Sequence, residues 1–311
     1  MSPALRVIIV TYNSGAILSD CLNALFQSDF ASPFEVWCVD NNSTDNTLDV
    51  LRSFEGIRVV ESGANLGFAK AVNSAIDDSE VDYLLLNPDA VVAPDTLRRL
   101  HDVANSDERI AIVGPRITHP KGRLKTESAG HAPTIRRMFN HYSGLSRAFP
   151  TVEWLEGHYL LPNGSQSQVE VDWVTGACLY IKSQVVRDLG ALSEKWFMYA
   201  EDIEYCLRAR KAGWQVRFAP SISCTHLVGE SSGVKSANPA WVLNLRELYI
   251  DTTSAGPLRT GLWTGVVAGG LLSRAIMYWL LGVLRSSKSW KAESKRFALY
   301  ARSLVTKYND A

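Results

Sequence analysis

Asp89 is a candidate for binding or catalysis because of its position. It ends the stretch Asn87-Pro88-Asp89, which follows the apolar run 83–86. A short apolar run bounded by a turn signal predicts a strand that is buried on both faces of a sheet. Proline has no N–H for the ladder, so regular pairing should stop at Pro88 and leave Asp89 at the carboxyl end of a central strand. Ligands of open α/β sheets bind at that edge, and a carboxylate there suits a divalent cation that holds a diphosphate. The alternative is a turn aspartate that caps a β-to-α loop.

A second acidic pair, Glu201 and Asp202, opens a stretch of helical spacing that ends near Gly213. The positive end of a helix dipole favours carboxylates in the first turn, and glycine is the usual residue just past a helix C-terminus. A carboxylate held there can take a proton from an attacking hydroxyl, although the two acids could equally serve as helix-end charges only. Glu204 lies four residues before Arg208, a spacing that predicts an ion pair.

These acids can be positioned by a β-sheet, and the pattern of apolar residues predicts one. Between residues 7 and 115, apolar strand-like runs alternate with stretches of helical spacing. The predicted strands cover 7–10, 34–39, 57–60, 83–86 and 110–115, and the predicted helices cover 16–28, 46–54, 68–77 and 96–105. Further strands are expected at 171–181 and 216–218. This alternation predicts an α/β fold with a mixed, mostly parallel sheet flanked by helices.

Composition and missing motifs exclude several classes of protein. The 311 residues include 32 basic and 32 acidic side chains, so no net field favours nucleic acid. TYNSG follows the first strand in place of G-x-G-x-x-G, and no Walker-type lysine loop is present, which disfavours a dinucleotide-binding domain and a P-loop. Five cysteines without C-x-x-C spacing favour buried free thiols in a reducing compartment. No signal peptide is expected, and the protein is expected to be cytoplasmic.

Seven motifs, in one order, carry a resemblance to a known enzyme family. They are VTYNSG at 10–15, VDNNSTDNT at 39–47, GANLGFAKAVN at 63–73, LLNPDA at 85–90, WVTGACLYIK at 173–182, FMYAEDIEYCLRARKAGW at 197–214, and His226. The set resembles the inverting nucleotide-sugar glycosyltransferases of family 2, which have the Rossmann-like GT-A fold. Within that family it looks most similar to bacterial rhamnosyltransferases of cell-wall and polysaccharide assembly, which act on polyprenyl-diphosphate-linked sugars.

The resemblance implies a metal-dependent, inverting transfer of a sugar from a nucleotide diphosphate to a hydroxyl of a lipid-linked saccharide. The best-matching donor is dTDP-L-rhamnose. The alternatives are a UDP-sugar with another glycan acceptor, and a non-catalytic scaffold of the same fold in a membrane assembly complex. The presence of Asp40, Asp89 and Asp202 together speaks against the scaffold. A nucleotidyltransferase has a similar half-fold, but it would need a Gly-rich basic loop that TYNSG does not supply.

The resemblance also implies roles for single residues. Asp202 is the implied general base, and Asp89 is the implied main ligand of Mg²⁺ or Mn²⁺, at the family's D-x-D position with Asn87 in place of the first acid. His226 is the implied late metal ligand, although a lone histidine is more often structural. The implied donor-binding residues are Thr11, Tyr12, Asn13, Asp40, Asn65, Gly67, Lys70, Asn87 and Asp89. The implied acceptor-side residues are Trp173, Thr175, Gly176 and Glu201.

The chain is expected to divide near residue 240. A glycosyltransferase domain over 1–240 would contain a nucleotide-sugar-binding half (1–115) and an acceptor and catalytic half (116–240), with residues 116–170 as an irregular binding or lid segment. Residues 241–311 would form a helical appendage. Its apolar stretch 261–284 contains Arg274 and is followed by seven basic residues among aromatic ones, a pattern typical of in-plane binding to an anionic membrane surface.

One alternative is that residues 261–284 span the bilayer, for which 24 helical residues are long enough, although Arg274 and the glycines at 265, 269 and 270 interrupt the apolar stretch. The other alternative is a helical hairpin that packs on the catalytic domain or on a second subunit. Homo-oligomerisation therefore stays open. With the membrane interpretation, the expected location is peripheral, on the inner face of the cell membrane.

Overall fold

The computed structural model describes residues 3–77, 79–119, 128–161, 167–226 and 238–309. The chain forms two compact units. The sheet unit comprises Met1–Gly130 and Pro162–Val234, and the helical unit comprises His131–Leu161 and Lys235–Ala311. Each unit is therefore built from two separate stretches of sequence.

A mixed sheet lies at the centre of the sheet unit. The strands are β1 (Leu5–Thr11), β2 (Phe34–Asp40), β3 (Ile57–Glu61), β4 (Asp82–Leu86), β5 (Ala90–Val92), β6 (Ile110–Thr118), β7 (Ala129–Gly130), β8 (Val169–Val171), β9 (Trp173–Val174), β10 (Cys178–Ile181) and β11 (Gln215–His226). Their order across the sheet is β3-β2-β1-β4-β10-β6-β11-β5, with β8 paired to β11. Strands β7 and β9 form a separate two-stranded ribbon.

Strand direction in this sheet is mostly parallel. β1 runs parallel to β2 and β4, and β2 runs parallel to β3. β10 lies antiparallel between β4 and β6, while β11 runs parallel to β6 and antiparallel to β5. Thr11 pairs with Asp40 in the β1–β2 register, so the carboxyl ends of these two strands lie side by side. The predicted α/β fold with a mixed, mostly parallel sheet is confirmed.

Helices flank the sheet and complete the helical unit. They are α1 (Leu18–Phe26), α2 (Thr47–Arg52), α3 (Phe68–Asn73), α4 (Thr96–Ala104), α5 (Ile135–Ser143), α6 (Leu145–Ala148), α7 (Ser183–Leu189), α8 (Glu201–Lys211), α9 (Ala240–Thr253), α10 (Pro257–Leu284) and α11 (Lys288–Asn309). In the sheet unit, α3 packs on β1 and β2, α4 packs on β6 and β11, and α8 packs on β9 and β11. Leu84 and Leu86 of β4 are buried in the resulting core. All five cysteines are free and buried, as predicted.

In the helical unit, α10 packs against α5, α9 and α11. The Trp263 ring is fully buried and stacks on Tyr249 of α9, with 5.5 Å between ring centroids. Its indole N–H donates to the carbonyl of Pro133 at 2.7 Å. Tyr278 stacks on Trp290 of α11 at 5.2 Å. The long apolar helix thus contributes one face to the core of its own unit.

The opposite face of α10, called here the outer face, is apolar and exposed. Its large apolar side chains are Leu258, Leu262, Leu272, Ile276, Met277, Trp279, Leu280, Val283 and Leu284. By length and composition this helix is apolar and long enough to cross a membrane, and 28% of its most apolar window is buried in the protein.

Two expectations differ from the structure. Residues 135–148, expected to be irregular, form α5 and α6. Thr134 caps α5 by accepting the Arg137 N–H at 3.3 Å, and Gly144 ends it at φ 83°. The apolar pattern of the sequence does not predict α5, because the buried face of this helix includes the polar residues Asn140 and His141. Of the same expected segment, residues 120–127 and 162–166 lie outside the described residues.

The boundary expected near residue 240 also differs from the division into compact units. Residues 131–161 belong to the helical unit, together with the C-terminal helices. The physical reason is specific bonding within that unit. Besides the Trp263 bond to Pro133, the Arg274 guanidinium lies 3.0 Å from His141 Nε2 and 4.8 Å from the centroid of the Tyr142 ring.

Candidate active site

An aspartate and a histidine that are distant in sequence meet at the end of β4. The chain turns through Asn87 and Asp89 into β5, whose antiparallel register with β11 places His226 opposite Ala90. Asp89 is 2% exposed, and its Oδ1 lies 2.8 Å from His226 Nε2. The Asn87 side-chain nitrogen lies 3.2 Å from the same ring nitrogen. The predicted metal ligands therefore lie within contact distance of each other.

The donor set at this point fits a divalent cation that also binds substrate. Magnesium in phosphate-transferring sites is held by one or two carboxylates together with substrate phosphates. Among the described residues, no group of three His, Cys, Asp or Glu side chains could enclose an ion. Asp89 and His226 would thus supply two protein ligands and leave the remaining positions to oxygens of a bound diphosphate and water.

Asp202 is held at the start of α8 by backbone donors. Its Oδ2 accepts the Gly176 N–H at 2.7 Å, and its Oδ1 accepts the Ile203 N–H at 2.8 Å. Burial raises the pKa of Asp202, while these hydrogen bonds stabilise its ionised form. The two residues that precede α8 have positive φ, 67° at Tyr199 and 123° at Ala200. Such strained backbone persists only where its surroundings enforce it, and it is concentrated at functional sites.

Gly176 connects Asp202 to the metal-ligand candidates. A Cβ atom at Gly176 would lie 3.3 Å from the Asp202 Cβ, so a side chain there would crowd the carboxylate. The next residue, Ala177, accepts the Asn87 N–H at 3.0 Å through its carbonyl. A continuous path of hydrogen bonds and peptide bonds therefore runs from Asp202 to the Asn87–Asp89 turn.

Glu201 differs electrostatically from its neighbour. It is 5% exposed, and its Oε2 is buried with no hydrogen-bond partner among the described residues. Burial, followed by the charge of Asp202, raises the pKa of Glu201 to about 8. When two adjacent carboxyl groups differ in this way, their roles separate. Glu201 therefore carries the proton at neutral pH, and two backbone N–H groups stabilise the ionised form of Asp202.

The predicted donor loops are joined by buried hydrogen bonds. Asp40, 1% exposed, accepts hydrogen bonds from the Thr11 hydroxyl at 2.9 Å and from the Ser43 hydroxyl at 2.6 Å. Its second oxygen accepts the Ser43 N–H at 2.9 Å. Asn13, at φ 50°, accepts the Thr44 N–H at 2.8 Å. The structure therefore gives Asp40 and Thr11 contacts that fix the loops, while Tyr12 is exposed at the same edge.

The loop before α3 lies beside the segment that leads into α8. Gly67 has φ +80°, and its N–H donates to the Asn65 side chain at 3.2 Å. The next N–H, of Phe68, donates to the Phe197 carbonyl at 2.9 Å. Lys70 lies exposed on α3. The predicted donor loop and the predicted catalytic segment are thereby bonded directly.

Asn41 joins two loops of the candidate site, although the sequence motifs implied no role for it. It is 3% exposed, and its side-chain N–H donates to the Gly67 carbonyl at 3.0 Å. The only sequence signal is its place inside VDNNSTDNT, because its partner lies in another loop.

The predicted acceptor-side residues separate into buried and accessible ones. Trp173 is 3% exposed in the β7–β9 ribbon, so its ring belongs to the interior of the sheet unit. Thr175 is half-buried and donates its N–H to the Ser128 carbonyl at 3.1 Å. Gly176 is the member of this group that contacts Asp202 directly.

Comparison with solved structures shows that the chain has the GT-A fold. A mannosyltransferase from Pyrobaculum calidifontis, solved with GDP-mannose and Mn²⁺, superposes with a TM-score of 0.55 over 99% of this chain and 87% of that chain, at 17% identity. TarS residues 1–349 of S. aureus, solved with UDP-GlcNAc, gives a TM-score of 0.53 over 94% of this chain and 79% of that chain, at 18% identity. At these identities the similarity shows the fold.

Sequence comparison identifies the family. The model of glycosyl transferase family 2 matches residues 6–160. An N-acetylglucosaminyl-diphospho-decaprenol L-rhamnosyltransferase of Mycobacterium tuberculosis is 31% identical over 246 residues, which cover 75% of this chain and 79% of the relative. A low-salt glycan biosynthesis hexosyltransferase of Haloferax volcanii is 29% identical over 227 residues, covering 71% and 66%. The chain belongs to glycosyltransferase family 2, and it is an enzyme of the hexosyltransferase class.

Proposed function

We propose that this enzyme transfers L-rhamnose from dTDP-L-rhamnose to a hydroxyl of a polyprenyl-diphosphate-linked saccharide, with inversion at the anomeric carbon. The observation that supports this reaction is a continuous series of contacts that joins the candidate base to the candidate metal ligands. It runs from Asp202 through Gly176 and Ala177 to the Asn87–Asp89 turn, where Asp89 contacts His226. The choice of donor and acceptor is supported by the 31% identity to an enzyme whose name specifies rhamnose and a diphospho-decaprenol acceptor.

Asp202 acts as the general base. In an inverting transfer the acceptor hydroxyl attacks the anomeric carbon on the face opposite the leaving diphosphate, and its proton passes to a carboxylate. Two backbone N–H groups stabilise the ionised form of Asp202, and burial raises its pKa and so its basicity. A positioned base of this kind contributes roughly 10²–10⁴-fold.

Glu201 supports the base without replacing it. Because its raised pKa keeps it protonated at neutral pH, it adds no second negative charge beside Asp202. Both acids follow the strained pair Tyr199 and Ala200, which fixes where α8 begins. Glu201 is therefore a positioning residue in this proposal.

Asp89 and His226 would hold Mg²⁺ or Mn²⁺ against the donor diphosphate. When bound, the cation would neutralise the charge that develops on the leaving group. The Asn87 side-chain nitrogen contacts the same histidine nitrogen. The Thr11–Asp40–Ser43 network and the Asn41–Gly67 bond hold the loops that would enclose the nucleoside, and Tyr12 offers an exposed ring to stack on its base.

The outer face of α10 and the basic residues of α11 would hold the enzyme on an anionic membrane surface, as a peripheral protein on the cytoplasmic side. An exposed apolar helix face on a soluble domain marks an interaction surface. The basic side chains that follow it are Arg285, Lys288, Lys291, Lys295, Arg296, Arg302 and Lys307. Such charges contribute roughly 1 kcal/mol each near anionic lipid.

A donor panel tests the proposal. Thermal unfolding is followed with dTDP-rhamnose, UDP-glucose, UDP-GlcNAc and GDP-mannose, each with and without Mn²⁺. A donor present at a hundred times its Kd should stabilise the protein by about 2.7 kcal/mol. We expect the largest shift with dTDP-rhamnose and Mn²⁺, and transfer from it to a GlcNAc-diphosphate lipid. A larger shift and transfer with a UDP-sugar would replace the rhamnosyl assignment with the alternative donor.

A further inference from the structure

The helical unit contains a groove between α5 and α10. Its cavity volume is 530 Å³, and it is lined by Phe139 and Tyr142 on one side and by Gly261, Leu262, Gly265 and Gly269 on the other. Phe139 and Leu262 are both more than half exposed, so the groove is open. A Cβ atom built on Gly265 or Gly269 would meet no atom within 4 Å. The glycines therefore leave space that no other part of the described chain fills.

We propose that this groove binds the hydrocarbon chain of the polyprenyl-diphosphate-linked acceptor. The inference rests on the proposed lipid-linked acceptor, and it gives the lipid part of that acceptor a binding site within the helical unit.

The shape of the groove fits one hydrocarbon chain. The lining glycine at 261 and Ser273 are twelve residues apart on one helix, so the groove is about 18 Å long and its mean cross-section is roughly 30 Å². Carbon atoms in contact lie about 4 Å apart, so a single chain needs roughly 16 Å² before its methyl branches are added.

The groove is continuous with the proposed membrane-facing surface. Positions 261, 265, 269 and 273 follow one helical row that continues to the exposed Met277, and the exposed residues Leu280 and Leu284 lie on the adjacent row. A lipid chain could pass from the bilayer along the outer face into the groove without leaving apolar surroundings.

The charge around the groove suits a lipid diphosphate. The helical segments that form its walls, residues 135–143 and 257–273, contain three arginines (Arg136, Arg137 and Arg259) and no Asp or Glu. Arg259 is exposed one turn before Leu262, at one end of the groove. At the other end, Arg274 contacts a histidine, and burial together with that arginine lowers the pKa of His141 to about 3, so the histidine adds no charge. A lipid with an anionic head is favoured over an uncharged one.

Photo-crosslinking of the full-length protein tests the inference without requiring turnover. The probe is a polyprenyl diphosphate that carries a diazirine on its chain, presented in detergent micelles, with crosslinked residues located by mass spectrometry. The groove variant is Gly265→Leu with Gly269→Leu, which fills open space and improves helix propensity, so folding should be retained. The matched control is Gly256→Leu, whose Cβ also meets nothing within 4 Å but lies outside the groove.

We expect wild-type crosslinks at residues of α5 and α10, at least a tenfold loss of yield in the groove variant, and less than a twofold change in Gly256→Leu. Equal crosslinking by a diazirine phosphatidylglycerol would overturn the acceptor assignment in favour of general lipid. A dimer in light scattering that the groove variant abolishes would assign the groove to a second copy. Unchanged yield in the groove variant would end the proposal. If the groove crosslinks as expected but no donor supports transfer, only the proposed reaction fails.

Discussion

At the level of single residues, the two neighbouring acids at the start of α8 behave differently because their surroundings differ. Asp202 accepts two backbone N–H groups, whereas one Glu201 oxygen is buried with no partner among the described residues. These contacts stabilise the ionised form of Asp202, while the raised pKa of Glu201 favours its protonated form. This assignment leads to two predictions.

Asp202→Asn should abolish most transfer while leaving donor binding close to wild type. An amide keeps the size of the side chain but cannot take the proton, so the loss should fall on kcat by roughly 10²–10⁴-fold. Steady-state kinetics and a donor-binding thermal shift measure the two effects separately. Retention of most activity would reassign the base, with Glu201 as the next residue to test.

Glu201 should make the folded protein less stable as pH rises. The folded state holds the Glu201 proton up to a pKa of about 8, whereas the unfolded state releases it near its ordinary value of 4.5. Stability from this group is therefore fully present below about pH 4.5 and is lost as pH rises toward 8, by at most about 1.4 kcal/mol per unit. Urea unfolding at pH 5.5, 6.5 and 7.5 should show wild type losing stability relative to Glu201→Gln. Glu55→Gln, which changes an exposed glutamate, should follow wild type, and parallel curves for all three proteins would contradict the assignment.

Asp89→Ala should remove the metal-dependent part of donor binding. The carboxylate is proposed to hold the cation that neutralises the diphosphate, so the stabilisation that Mn²⁺ adds to a bound donor should disappear. The control is Asp95→Ala, a carboxylate that pairs with Arg99 at the start of α4. A thermal-shift titration of the donor with and without Mn²⁺ measures the effect, and an intact Mn²⁺ increment in Asp89→Ala would refute the ligand role.

Local sequence predicted some positions in the candidate site and not others. Asp89 and Asp202 were predictable because a proline turn and a helix start lie directly beside them in the chain. The burial of Asp40 was not predictable, because it depends on hydrogen bonds from Thr11 and Ser43. The burial of Trp173 was not predictable either, because it depends on the pairing of β7 with β9. The contact between Asp89 and His226 arises only from the β5–β11 register, which no local pattern encodes.

At the level of elements, the loop before α3 and the segment before α8 constrain each other through Gly67. A Cβ atom there would lie 2.3 Å from the Phe197 carbonyl oxygen, a backbone atom that cannot move alone. The positive φ of Gly67 adds a cost for any other residue. The loop thus needs glycine for two separate reasons.

Gly67→Ala should lower both stability and donor affinity, and Gly63→Ala provides the matched control. Gly63 has φ +72° with open space around it, so alanine there should cost only the strain of about 1 kcal/mol. Gly67→Ala adds the clash with Phe197, so we expect at least twice that loss and a severalfold higher donor KM. Urea unfolding and initial-rate kinetics on both variants give the comparison. Equal losses for the two variants would show that the contact with Phe197 does not matter.

The sequence predicted the strands and helices correctly wherever their apolar pattern was strong. Strands β1, β2 and β4 were predicted within one or two residues because they are continuous apolar runs. Helices α5 and α6 were missed because their residues are largely polar and basic, and their stability comes from caps and from α10. Strand β11 extends over twelve residues, Gln215–His226, far beyond the apolar Val216–Phe218 that predicted it, because it pairs with three other strands.

At the level of the whole molecule, membrane attachment should depend on the outer face of α10 more than on the charges of α11. We expect full-length protein to float with anionic liposomes. Ile276→Asp with Leu280→Asp should reduce flotation at both low and high salt, because it removes apolar contacts. Charge reversal at Lys288, Lys291 and Lys295 should reduce it at low salt only, since high salt already screens those charges.

The control for this experiment places two aspartates on the sheet unit, Gln27→Asp with Ser53→Asp, at exposed positions. It should float like wild type. A full-length protein that stays in the soluble fraction with anionic liposomes would refute membrane attachment altogether.

The divided sequence of the helical unit has a consequence for biosynthesis. Leu161 ends the first part of that unit, and Trp263, which bonds to Pro133, is translated about 100 residues later, after roughly 5–20 s at common elongation rates. By then every described strand of the sheet has been translated, since β11 ends at His226. The sheet unit can therefore form its strands before α10 is available to pack on α5. If the outer face of α10 binds a membrane as proposed, attachment follows the synthesis of the candidate active site.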